Sequence, residues 1–171
     1  DMEETLIGSR DSLESAIRRD HAEHRTAFVA VDYVQLVAGS GDNVNERIQS
    51  ITTTLKTLAR DLQMCILTLS QLNRSCEGRP NKRPIMSDLR DSGAIEQDAN
   101  VILFLYRESI YSDRANPEES EIIIGKQRAG QRGVVLPMRF LERSARFLDE
   151  ELPLRQALRG QAPRQREPGE D

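Results

Sequence analysis

AFVAVDYVQL, residues 27–36, decides how the chain folds. Ala27, Phe28, Val29, Ala30 and Val31 follow one another with no polar residue between them. That pattern suits a strand buried on both faces, as in a parallel sheet covered by helices. The run then meets a carboxylate, Asp32. In open parallel sheets, ligands gather at the carboxyl ends of the strands. An acid placed there either closes the strand and opens a turn, or holds a metal ion, usually through water. Many nucleoside triphosphatases build the magnesium side of their site in the second way. An apolar run ending in Asp fits both readings, so the rest of the chain decides between them.

Upstream, SRDSLESAIRRDHAEH (9–24) puts Leu13, Ala16 and Ile17 on one helical face, with Ser9 or Asp11 as the cap. His21 and His24 share that helix, but no further ligand type gathers near them, so they read as part of a solvated face. Downstream, VAGSGDN (37–43) is a Gly-rich connector without the spacing or the Lys of a phosphate loop. It leads to a helix over 44–62 with the stripe Ile48, Ile51, Leu55, Leu58 and Leu62; Asn43 and Glu46 stand at capping-box spacing. MCILTL (64–69) is a second buried strand, ending in Ser70 to Arg74. A long polar loop follows, then a short helix over 92–99 and a third buried strand, NVILFLY (100–106). Residues 107–120 are polar and turn-rich and read as a mobile loop. EIIIGK (121–126), a turn with Gly130 and Gly133, and VVLPMRFL (134–141) read as a hairpin, with Pro137 marking its return strand as an edge. Residues 152–171 lack periodicity and are expected to form a disordered tail after a single domain over 1–151. Alternating strands and helices with uniformly apolar strands define an α/β fold with a parallel sheet, closed by an antiparallel hairpin.

The 171 residues carry a net charge of −4, which argues against coating nucleic acid through bulk charge but leaves room for local basic loops. No apolar run reaches the roughly 18 residues of a membrane helix. Cys65 and Cys76 have neither metal-ligand nor disulfide spacing, which fits a reducing cytoplasm.

Polar groups follow three of the strands. Asp32 ends the first, and Gln71, an amide that both donates and accepts, follows the second. Lys126 and Arg128 follow the fourth, two apart, and so point to one side of an extended segment. A metal carboxylate, a polar sensor and paired cations are parts that phosphoryl transfer needs, although a lone K-x-R is commonly a solvated pair. The strings VDYVQL, SQLNR, SDLRDSGAIEQDAN and IIIGKQRAG are more specific, because they occur in this order and at this spacing. Together they resemble the C-terminal motor domain of DnaB-type replicative DNA helicases, hexameric ring motors with a RecA-like fold, over roughly residues 10–148.

The resemblance implies roles by position. Asp32 corresponds to the Walker B aspartate that orients the water shell of Mg2+. Gln71 corresponds to the residue that senses the terminal phosphate of ATP and relays its state toward DNA. Lys126 and Arg128 correspond to the pair inserted into the neighbouring subunit's nucleotide site, with Arg128 as the arginine finger. Arg90, Asp91 and Gly93 lie in the segment that faces the ring's channel and holds the phosphates of single-stranded DNA, with little sequence preference expected. The family usually has Glu where Asp91 stands and Leu where Val34 stands. It also implies ATP-driven 5′-to-3′ unwinding, a homo-hexamer, and primase and a helicase loader as partners.

Only 31 residues precede Asp32, and they contain no G-x-x-x-x-G-K-[ST]. The residue that activates the attacking water, carried by the family between that loop and the Asp32 strand, is missing too. The 171-residue chain alone is therefore expected to lack ATPase activity while still offering Arg128 to an intact neighbour in a mixed ring. It is also expected to lack the strand that a RecA-like order places between the second and third strands, leaving a gap or forcing those two together. From another class, the chain reads as a non-catalytic module that binds a helicase ring or single-stranded DNA. A recombinase-like relative is the third reading, against which SQLNR and GKQRAG favour the helicase branch.

Overall fold

The computed structural model describes residues 9–89 and 92–149. Arg90, Asp91 and the expected tail over 152–171 lie outside the described residues. The chain divides into two compact units, Asp1–Ile102 with Gly125–Arg132, and Leu103–Ile124 with Gly133–Asp171.

The first unit opens with helix α1, Arg10–His24. Ser9 caps it: its hydroxyl accepts from the Ser12 backbone, and the Ser12 hydroxyl accepts from the Ser9 N–H at 3.1 Å. Strand β1, Phe28–Val31, pairs in parallel with β2, Cys65–Thr68, from Phe28↔Cys65 to Val31↔Thr68. Helix α2, Val44–Asp61, joins them by a crossover. Asn43 accepts from the Glu46 N–H at 2.9 Å, while the Glu46 carboxylate accepts from Asp42 at 2.8 Å, one residue before the position a capping box uses. The predicted α2 stripe is the core: Ile48, Ile51, Leu55 and Leu58 are all at most 5% exposed. Ile51, Leu55 and Leu58 pack with Leu13 and Ile17 of α1 and with Val31, Val34 and Met64. Burying such a side chain contributes about 1.5–3 kcal/mol.

That core covers one face of the β1–β2 pair, through Val29, Val31 and Ile66. The opposite face is open among the described residues: Phe28 is 54% and Leu67 49% exposed. The expectation of a strand buried on both faces is thus corrected. Alternate side chains point to opposite faces, and both α1 and α2 pack on the same one. An uninterrupted apolar run signals a strand suited to two-sided burial, but it does not supply the second cover.

Helix α3, Ser92–Asp98, packs on α2, where Asp98 accepts from Thr52 at 2.7 Å. Strands β3, Val101–Tyr106, and β4, Glu119–Gln127, follow. With β5, Val135–Leu141, and β6, Arg146–Asp149, they form a second sheet in the order β3-β4-β5-β6. β2 and β3 belong to separate sheets and do not pair with each other, so the direct pairing named as one of the two expected outcomes does not occur among the described residues.

In the second unit the expected hairpin is extended by β6, which sequence reading did not foresee. β4 pairs antiparallel with β5, and β5 pairs antiparallel with β6 over Met138–Leu141. β5 is therefore not an edge strand, and the reading of Pro137 needs correction. Phe140 N–H donates to Glu118 across the β4 side at 2.7 Å. By alternation, position 137 turns its nitrogen to the β6 side, where the pairing among the described residues ends at Met138↔Asp149. The stretch over 107–120, read as mobile, is fastened. Arg107 donates to Glu142 at 2.7 Å and lies 3.8 Å over the Phe140 ring, and Tyr106 stacks with Tyr111.

Candidate functional site

Asp32 and Gln71 follow the carboxyl ends of the paired strands β1 and β2, at the same end of the ribbon. The ladder continues past the strands: Leu69 N–H donates to Val31 at 2.9 Å, and Val34 N–H donates to Leu69 at 3.0 Å. The chain beyond Asp32 then winds into a 3-10 turn, Val34–Leu36. Gln35, on that turn, reaches back to the β2 side. Its Nε2 donates to Ser70 Oγ at 2.9 Å and to the Gln71 carbonyl at 3.4 Å, and its Oε1 accepts from the Gln71 N–H at 3.3 Å. Asp32 and Gln71 are both exposed, and neither side chain makes a hydrogen bond within the described residues. An exposed carboxylate with unused acceptors at a strand's carboxyl end fits a water-mediated Mg2+ contact. Such an ion would offset the charge of bound phosphates. Among the described residues no group of three His, Cys, Asp or Glu side chains gathers to hold a metal directly.

Downstream of Gln71, the loop to Leu89 is folded around one buried acid. Asp88 is 1% exposed. Arg79 grips its carboxylate with both terminal nitrogens, at 2.7 and 2.6 Å, and Ile85 N–H donates to it at 2.9 Å. These hydrogen bonds, the Arg79 fork first among them, outweigh the effect of burial and hold the Asp88 carboxyl below its usual range. The Asp88 carbonyl accepts from Asn73 N–H at 2.7 Å, and Leu72 bridges to Leu89. The backbone on both sides of this polar loop is thereby tied together, just after Gln71 and just before Arg90. Cys76 is buried within the loop while Cys65, on β2, is exposed.

Lys126 and Arg128 lie elsewhere in the same unit. The Lys126 ammonium donates to the carbonyls of Glu96 and Gln97 at the end of α3, where a cation suits the helix dipole. Arg128 N–H donates to the Asn100 carbonyl at 3.0 Å, and its exposed guanidinium makes no hydrogen bond within the described residues. No hydrogen bond within the described residues joins either cation to Asp32 or Gln71. Gly93 is exposed on α3. Arg90 and Asp91 lie outside the described residues, so their channel-facing assignment has no geometry here. The histidines are engaged locally, His21 with the Thr26 carbonyl at 2.9 Å and His24 with Asp20 at 3.2 Å.

Sequence reasoning missed Gln35 and the Arg79–Asp88 pair. Gln35 stood inside a quoted motif, three residues after Asp32, and its amide was the available signal. Asp88 stood in SDLR, but nothing in its neighbours marks it as buried; that depends on Arg79, nine positions earlier.

Residues 2–149 match the family described as DnaB-like helicase C terminal domain. The chain is 42% identical over 143 residues to the replicative DNA helicase DnaB of Geobacillus stearothermophilus, covering 81% of this chain and 31% of that protein. It is 46% identical over 127 residues to the DnaB helicase of Buchnera aphidicola subsp. Schizaphis graminum, covering 72% of this chain and 27% of that one. It thus spans under a third of the length of these curated relatives. Among solved structures it is similar to a DnaB-like replicative helicase described with its primase interactions, with TM-score 0.80, 33% identity, and coverage of 87% of this chain and 36% of that one. It is also similar to a solved ATPase domain, with TM-score 0.77, 35% identity, and coverage of 84% and 52%. The chain belongs to the DnaB-like helicase C-terminal domain family.

Proposed function

We propose that these residues form the C-terminal part of the motor of a replicative helicase subunit, which couples ATP hydrolysis to 5′-to-3′ unwinding as a cytoplasmic hexameric ring. The observation that carries this reading is the placement of Asp32 and Gln71 at the same end of the β1–β2 ribbon. Both are exposed and uncommitted, on backbone fixed by the ladder and by Gln35. Asp32 is the Walker B carboxylate and holds the water shell of Mg2+. Gln71 reads the terminal phosphate. A phosphate-binding loop and an activating carboxylate from outside these 171 residues complete the site. Arg128, with its guanidinium uncommitted, serves as the arginine finger of the adjacent subunit, and Lys126 braces the segment against α3. Single-stranded DNA passes along the Arg90, Asp91 and Gly93 segment, and the chain reaches that segment from a fixed Leu89. Primase and a loader dock on the assembled ring.

The test is to mix the 171-residue chain with a full-length subunit of the family whose own finger arginine is replaced. Recovery of ATP hydrolysis, lost again with Arg128→Ala, supports the reading, since such fingers contribute on the order of 10³–10⁵ in rate. No recovery refutes a trans role for Arg128. The chain alone is expected to hydrolyse ATP no faster than background; turnover would show that it needs no external phosphate loop.

A further inference from the structure

We infer that Gln35 is a positioning residue that fixes Gln71 relative to Asp32 and so sets turnover without setting nucleotide affinity. This rests on the reading of Gln71 as the phosphate sensor. After Val34 N–H has bonded to Leu69, the backbone that follows Asp32 curls away, and within the described residues no main-chain group of that turn bonds with Gln71. The Gln35 amide takes that place. It offers one acceptor to the Gln71 N–H and one donor to the Gln71 carbonyl, and anchors on Ser70 as well. The segment is held on its other side by the Leu72–Leu89 bridge and by the bond from Asn73 to Asp88. Gln71 thus has a fixed backbone and an uncommitted side chain, the arrangement a group needs if it is to respond to a ligand without moving its own support. Because Gln35 lies one turn from Asp32, any displacement of the metal-side segment reaches Gln71 through this amide.

The test uses the ring-forming, ATP-hydrolysing subunit that carries these residues. Gln35→Met keeps length and bulk but neither donates nor accepts at the amide position. DNA-stimulated kcat should fall ten- to a hundredfold, on the order expected when a reacting constellation shifts by about 1 Å, with KM for ATP unchanged within about twofold. Gln35→Glu, which keeps the acceptor but loses the donor, should fall similarly, and Ser70→Ala by less. In a Gln71→Ala background, Gln35→Met should have no further effect. On the 171-residue chain, exchange of the Gln71 amide should quicken in Gln35→Met while the melting temperature holds. If Gln71→Ala slows turnover but Gln35→Met and Gln35→Glu do not, or if the effects of Gln35→Met and Gln71→Ala multiply, the inference is overturned and the sensor reading stands. If Gln71→Ala itself leaves turnover unchanged, the sensor reading fails and this inference with it.

Discussion

Replacing Asp88 by Ala tests how the loop between Gln71 and Arg90 is held. The carboxylate is 1% exposed, takes both arms of Arg79, and accepts the Ile85 N–H. Breaking a buried ion pair by removing one partner costs about 3–5 kcal/mol when the other is left buried. Here the remaining partner is partly exposed, with 31% of its side chain accessible, and regains water. What stays is the loss of charge-assisted bonds and one orphaned backbone donor, together about 3 kcal/mol. The loop can open without the α1–α2 core, so the loss is read as local opening. At about 1.4 kcal/mol per decade, amide exchange of Asn73 and Ile85 should quicken by about a hundredfold. Exchange in the centre of α2 should change little. An effect below threefold at both amides would refute the claim that Asp88 organises the loop. The pH dependence follows from the same contacts. The folded Asp88 carboxyl titrates below its unfolded value, so its stabilisation is complete above about pH 4 and disappears as pH falls through the lowered folded value. Asp88→Asn should remove that acid-side loss while leaving a smaller, pH-independent defect.

Two further outcomes concern the scaffold. Asn43→Ala removes the cap bond to Glu46 and should cost about 1 kcal/mol, or roughly 2–4 °C in Tm followed by circular dichroism. Leu67→Gln, on the open face of the β1–β2 pair, should leave Tm within about 2 °C and reduce concentration-dependent association in sedimentation, because it removes exposed apolar surface and no core contact.

The helices were legible because their signals are local and periodic. The α2 stripe needs only 3.6-residue spacing, and Asn43 and Ser9 mark the starts within their own first turns. The strands were legible as apolar runs, but not their environment. Two-sided burial of β1 requires a cover that no local pattern encodes, and β6 is four residues whose pairing depends on β5 already being in place. The second sheet shows the same limit at Pro137. A proline excludes only the bond its own nitrogen would make, so it constrains one side of one residue rather than the whole strand.

At the site the division is between residues recognised by what they offer and residues recognised by what they hold. Asp32, Gln71 and Arg128 are chemically suggestive, and they are side chains that fold without a hydrogen-bond partner among the described residues. Gln35 and Asp88 are equally polar, yet their capacity is used inside the chain: Gln35 on the backbone N–H and carbonyl of Gln71, and Asp88 on Arg79 and Ile85. A sequence does not show whether a polar group is free or engaged, because the answer depends on groups 36 positions away for the Gln35–Gln71 bond and nine for the Arg79–Asp88 pair. Of the free groups, Gln71 is the one whose backbone an engaged side chain, Gln35, holds directly. A change at Gln35 should therefore damage turnover without touching nucleotide, and one at Asp88 should loosen the loop without touching the core.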